Sequence, residues 1–238
     1  MLNEFSRTQL LLGKENMDRL KASSVIIFGI GGVGSYCTEA LARTGIGKIT
    51  LVDNDTVSVT NINRQLIALH STIGMLKTDA AKARIHDINP ECEVSVFPCF
   101  YSEDNDGGIN LSDYDYIIDA IDSVKSKVYL AEQAGKLGIP IISSMGAGNK
   151  LDPTKFKITD IYKTEMCPLA KTMRHALRLK GIKKLKVVFS TEPAVIPREK
   201  TDEISDTKPF IPGSTAFVPS VAGLIIASEV IKDLTNFQ

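Results

Sequence analysis

The chain has 238 residues, 43% hydrophobic and 24% charged, which suits a soluble globular domain and excludes a disordered or fibrous chain. Its 28 basic residues balance 28 acidic ones, so global charge points to no partner and any electrostatic signal must be local. The 4 cysteines form no C-x-x-C pair, which argues against a disulfide scaffold and against structural zinc.

The N-terminus, MLNEFSRTQL, has no cationic start followed by an apolar run, so no signal peptide is expected. Phe5–Gly13 carries Arg7 on a segment too short to form its own core. From residue 25 to 145, β-rich runs alternate with stretches of helical period. Val25–Gly29, Lys48–Asp53, Glu93–Pro98, Tyr116–Asp122 and Pro140–Met145 read as strands, several of them apolar on consecutive positions, as parallel strands buried on both faces are. Gly34–Arg43, Lys77–Ile88 and Ser123–Leu137 read as the helices between them. This alternation predicts an α/β, doubly wound (Rossmann-like), mainly parallel sheet.

After Asp152-Pro153 the pattern changes. TKFKITDIYKT and KVVFSTEP read as added strands, with an amphipathic helix over Pro168–Lys180 between them. Pro197–Pro209 is charged and proline-bracketed, which predicts a mobile surface loop. An apolar helix closes the chain near Pro219–Leu234; it is too short to span a bilayer and is broken by Glu229. A single domain is expected, with residues 1–150 binding a nucleotide and 151–238 forming a C-terminal substrate-binding part, in a cytoplasmic protein with reduced thiols.

The glycines at 29, 31 and 34 stand between a strand and a helix, with Asp53 at the end of the next strand. That spacing fits a dinucleotide fingerprint, but outward amides at a helix start bind any phosphate. The segment after Asp53 decides between ligands. Attack at the α-phosphorus of a triphosphate builds charge on departing pyrophosphate, which calls for fixed cations and usually magnesium. Arg64 and Lys77 supply a rigid fork and a compact point charge. Asp53 is placed for ribose hydroxyls, Asn61 for a neutral donor, and Asp122 stands at a strand end where a carboxylate suits Mg2+. Each has a plainer reading: a lone cation is usually solvated, Asp55 also serves as a turn cap, and Asp119 as a strand end.

From Lys163 to Lys186 there are eight basic residues against one acidic, in a chain of zero net charge. Lys171, Arg174 and Arg178 fall at i, i+3 and i+7 on one helix face, which suits nucleic-acid phosphates; a solvated surface helix shows the same stripe.

Taken in order, GIGGVGS, LVDNDTVSVTNINRQ, IGMLKTDAAKARIHDINP and DYIIDAIDS resemble the adenylating domain of ubiquitin-activating-like enzymes, including bacterial activators of sulfur-carrier proteins. The resemblance implies ATP rather than NAD, with Gly29, Gly31, Gly32 and Gly34 at the nucleotide and Asp53 at the ribose. It implies Asn61, Arg64 and Lys77 at the phosphates, Asp55 and Gln65 among the nucleotide-binding residues, and Asp122 at magnesium. An N-terminal arginine entering the partner's ATP site in a homodimer matches Arg7, with Thr8 the neighbouring alternative. DPTKFKITDIYKT, CPLAKTMRHALR, KVVFSTEP and PGSTAFVPSVAGLIIASEVI resemble one branch, the tRNA threonylcarbamoyladenosine dehydratases. That branch implies ATP-dependent cyclisation of a threonylcarbamoyl group on tRNA, through a carboxyl-adenylate. The rival branch, activators of a ubiquitin-like or sulfur-carrier protein, commonly holds zinc on two C-x-x-C pairs and needs an acceptor cysteine. A third reading is a nucleotide-binding regulatory module without turnover. Cys167, where branch members often have an acidic residue, is given no role, and nothing in the residues specifies a sulfur-transfer partner.

Overall fold

The structure is a computed structural model and describes residues 2–199 and 212–237. Along the chain come α1 (Ser6–Ala22), β1 (Ser24–Phe28), α2 (Gly34–Thr44), β2 (Lys48–Val52), α3 (Lys77–Ile88) and β3 (Glu93–Phe97). They are followed by β4 (Tyr116–Asp119), α4 (Val124–Leu137), β5 (Ile141–Ser144), β6 (Phe156–Asp160), α5 (Pro168–Leu179), β7 (Lys186–Ser190) and α6 (Phe217–Thr235).

The strands form one seven-stranded sheet in the order β3-β2-β1-β4-β5-β7-β6. Every pairing is parallel except β6 against β7. The doubly wound, mainly parallel α/β sheet expected from the alternation is thus what forms, and the second half of the chain extends the same sheet. Burial on both faces explains the unbroken apolar runs. Val25 and Ile27 of β1 pack with Leu41 of α2, Ile85 of α3 and Ile226 of α6. Ile26 and Phe28, pointing the other way, pack with Leu130 and Ala134 of α4.

Two differences from the sequence reading have local causes. The N-terminal segment is a helix of 17 residues running to Ala22, bent at Gly13 where φ is 79° and ψ 162°. The strand expected across Thr154–Thr164 is confined to β6, with 3-10 turns at Pro153–Lys155 and Ile161–Lys163. Asp152 and Asp160 each accept a backbone N–H two residues on, from Thr154 and Tyr162, and these turns end the strand at both sides. Of the surface loop expected over 197–209, all but the first three residues lie outside the described residues.

Register positions the site. Phe28 is level with Val52 on one side and with Asp119 on the other, so β1, β2 and β4 stop at one height. The residues that follow each strand therefore meet at one edge of the sheet.

Candidate active site

That edge opens into a cleft of about 890 Å3. Its floor is the turn from β1 to α2. Gly29 has φ 88°, and a Cβ there would lie 2.6 Å from the carbonyl oxygen of Ala120. A Cβ on Gly34 would come within 1.8 Å of the Gly29 carbonyl oxygen, so both positions admit only hydrogen. Gly29, Gly31 and Gly32 line the cleft. Gly34, the first residue of α2, does not line it and instead makes the tight turn sterically possible.

Asp53 locks this turn. Its Oδ2 accepts the N–H of Ile30 at 2.7 Å and its Oδ1 accepts the N–H of Asp55 at 2.9 Å. Burial lifts the Asp53 carboxyl above its ordinary range, and the charge of Lys77 with the two amides offsets only part of that. Lys77 opens α3 with its side chain 7% exposed, donating to Asp55 Oδ2 at 2.5 Å, with Asp53 Oδ1 at 4.0 Å. The peptide N–H of Lys77 also bonds the Asp55 carbonyl at 3.0 Å. Asp55 thus orients the lysine toward the cleft, while the turn itself is capped by Asp53.

The other cation comes from the β2–α3 connection. A 3-10 turn at Val59–Asn61 is closed by the Asn61 side chain, whose Oδ1 accepts the Ser58 N–H at 3.1 Å. Arg64 follows it, half-buried, with Nη1 donating to the Thr60 carbonyl at 2.8 Å and to Asn63 Oδ1 at 3.1 Å. Gln65 is 6% exposed, and its Oε1 is a buried acceptor with no hydrogen-bond partner. Asn61, Arg64, Gln65 and Lys77 all line the cleft, as do Asp53 and Asp55. Asp122, exposed in the turn after β4, lines it as well.

A lysine at a helix start, an arginine just past a 3-10 turn and the amides of a glycine turn around one polar cleft, with carboxylates at its edge, suit a phosphorylated ligand. A family model described as the ThiF family matches residues 5–238. The chain belongs to the ThiF family. It is 50% identical over 242 residues to tRNA threonylcarbamoyladenosine dehydratase of Bacillus subtilis (strain 168), covering 98% of this chain and 95% of that protein. The crystal structure of Escherichia coli tRNA N6-threonylcarbamoyladenosine dehydratase in complex with AMP superposes with a TM-score of 0.89 at 38% identity, covering 98% of this chain and 94% of that one. The ATP complex of the same enzyme gives a TM-score of 0.88 at 37% identity, with the same coverage. The resemblance drawn from the motifs, down to its branch, is borne out by these similarities.

Other expected residues of this ThiF-family chain stand elsewhere. Arg7 is exposed on the first turn of α1 and does not line the cleft. Nor do Lys171, Arg174 and Arg178. On α5, Ala170, Met173 and Leu177 face the core, while Lys171 and Arg178 are exposed and Arg174 is half-buried. Arg174 Nη1 donates to the carbonyl oxygen and to the hydroxyl of Thr164, and the Arg178 guanidinium lies 5.2 Å from the centre of the Tyr162 ring. Cys167 is the buried N-cap residue of α5, with no side-chain capping bond.

Sequence reasoning missed part of the wall. Cys99, Phe100 and Tyr101 line the cleft just past β3, and the Tyr101 ring packs 4.6 Å from that of Phe28. Pro98 ending a strand before an aromatic pair was the available signal. Gly148, Pro212 and Ser214 line the far side, and no local pattern marks them. No helix among the described residues is long and apolar enough to cross a membrane.

Proposed function

We propose that the protein is an ATP-dependent tRNA threonylcarbamoyladenosine dehydratase. The observation that carries this reading is the convergence of Lys77, Arg64 and Asp122 on the glycine turn, in a chain that spans 95% of a relative with that name. ATP lies with its ribose toward Asp53 and its phosphates over the amides of Gly31 and Gly32, between Arg64 and Lys77. Asn61 and Gln65 add neutral contacts, and the unpartnered Gln65 Oε1 is a group that a ligand donor satisfies.

The carboxylate oxygen of the threonylcarbamoyl group attacks the α-phosphorus, and the bond to the bridging oxygen of pyrophosphate breaks. An atom of the same group then attacks the activated carbonyl carbon, closing a ring and expelling AMP. Arg64 and Lys77 stabilise the negative charge that grows on the phosphoryl oxygens in the first step. For magnesium, no cluster of three metal-ligating side chains exists among the described residues. A single carboxylate facing substrate phosphates is nonetheless how Mg2+ is often held, and Asp122 on the cleft wall fits that role. Bound there, the ion would supply charge neutralisation.

tRNA approaches from the far wall. The loop after β5 contributes Gly148 to the cleft, and Gly146 lies against Cys167 and Leu169 at the start of α5. Lys171 and Arg178 are the exposed cations of that helix for phosphates, which position a substrate without reading its sequence. We further propose a homodimer working in the cytoplasm, in which Arg7 completes the partner's site. Leu10 and Leu11 beside it on α1 are 85% and 79% exposed, as an uncovered interface requires.

The decisive experiment supplies purified protein with ATP and either tRNA carrying the linear modification or a ubiquitin-like carrier protein. AMP release and loss of water from the tRNA nucleoside are expected with tRNA alone. AMP formation only with the carrier protein would establish the rival reading, and no turnover with either would leave a regulatory nucleotide-binding module.

A further inference from the structure

Beneath the cleft lies an ion pair that the proposed chemistry does not use. Asp119, the last residue of β4, and Lys127, in the first turn of α4, are both 0% exposed, and Lys127 Nζ stands 2.9 Å from Asp119 Oδ1. Asp119 Oδ2 accepts the hydroxyl of Ser143, on β5, at 2.5 Å. Asp119 Oδ1 also accepts the peptide N–H of Ile121 at 3.2 Å. One carboxylate therefore ties two strands, a helix and the turn between β4 and α4.

Full burial of two charges is costly, and apolar side chains of similar volume often stabilise a core as well or better. The cluster is better explained by what it holds. The turn Ala120-Ile121-Asp122 contains neither proline nor glycine to stiffen it, yet all three residues line the cleft. Its backbone is suspended between two points: Ala120 donates to the Phe28 carbonyl at 2.8 Å, and Ile121 donates to Asp119. Gly29 packs directly on the Ala120 carbonyl, so the turn cannot shift without disturbing the glycine turn.

We propose that Asp119, Lys127 and Ser143 are positioning residues that hold the β4–α4 turn, and with it Asp122, against the phosphate end of the cleft. This rests on the nucleotide reading above. The test removes both charges together by Asp119→Leu with Lys127→Met, which leaves no unpaired buried ion. ATP affinity is read by calorimetry with Mg2+ and without tRNA, beside thermal melting of the nucleotide-free protein. Affinity should fall about tenfold while melting stays cooperative, and the loss should not add to that of Asp122→Asn. The same loss should add to that of Lys77→Ala, which comes from the other side of the glycine turn. Additive losses with Asp122→Asn, or unchanged affinity in the folded paired variant, overturn the proposal. If the paired variant does not fold, Ser143→Ala decides: about a threefold, non-additive loss supports the proposal, and unchanged affinity overturns it. Failure of the unaltered protein to bind ATP would instead refute the nucleotide reading.

Discussion

Lys77 reaches the cleft through a helix start, with its ammonium group held by Asp55 and close to Asp53. A cation fixed before the substrate arrives needs no rearrangement when charge develops, which is the condition for electrostatic catalysis. Lys77→Ala or Arg64→Ala should therefore lower turnover by about 10² or more in a folded protein, measured as ATP-dependent cyclisation of tRNA. Asp122→Asn keeps the shape of the side chain and removes its charge, so activity should fall and partly return in excess Mg2+; full activity at low Mg2+ would move that role elsewhere. The glycine turn and Asp53 were legible because backbone geometry restricts them: such a turn admits few spacings, and the acid that locks it must end the next strand. Phe100 and Tyr101 were not, because any apolar side chains of that size could fill the place. Gly34, expected at the nucleotide, does not line the cleft, and a Cβ there would meet the Gly29 carbonyl oxygen.

At the scale of elements, helix period revealed the basic stripe of α5 but not how its members are spent. The apolar face at Ala170, Met173 and Leu177 determines which side turns outward. What the period could not show is that Arg174 turns back onto Thr164 at the end of a 3-10 turn, since that partner is ten residues away and on another element. The two exposed cations and the bonded one should then behave differently. Lys171→Glu with Arg178→Glu should weaken tRNA binding and reduce its salt slope by about one unit per lost phosphate contact, leaving ATP affinity intact. Arg174→Ala should instead lower stability by about 1 kcal/mol, read by denaturant unfolding, because a part-buried carbonyl loses its donor. An unchanged salt slope in the double reversal would return α5 to an ordinary solvated surface.

At the scale of the whole molecule, the alternation of strands and helices was enough to read a doubly wound sheet, because crossover handedness leaves few alternatives. It was not enough to place β6, whose antiparallel pairing with β7 joins segments about thirty residues apart. Assembly is tested at this scale too. If Arg7 acts across a two-fold axis, mixing Arg7→Ala subunits with Lys77→Ala subunits should restore about a quarter of the unaltered activity, since random exchange gives half heterodimers with one sound site each. No recovery despite demonstrated subunit exchange would confine Arg7 to its own subunit's surface.

The level ending of β1, β2 and β4 has a consequence for how such a protein can diversify. Every residue proposed to grip phosphate follows one of three strands that end in register, so that half of the cleft is built on the core of the sheet. The opposite wall, with Gly148, Pro212 and Ser214, comes from connections in the later chain that share no register with those strands. Mutation is thereby free to rewrite the acid that is activated while the activation itself stays constant. A lineage built this way can change customers without retooling, and its members should differ most where the late connections meet the cleft.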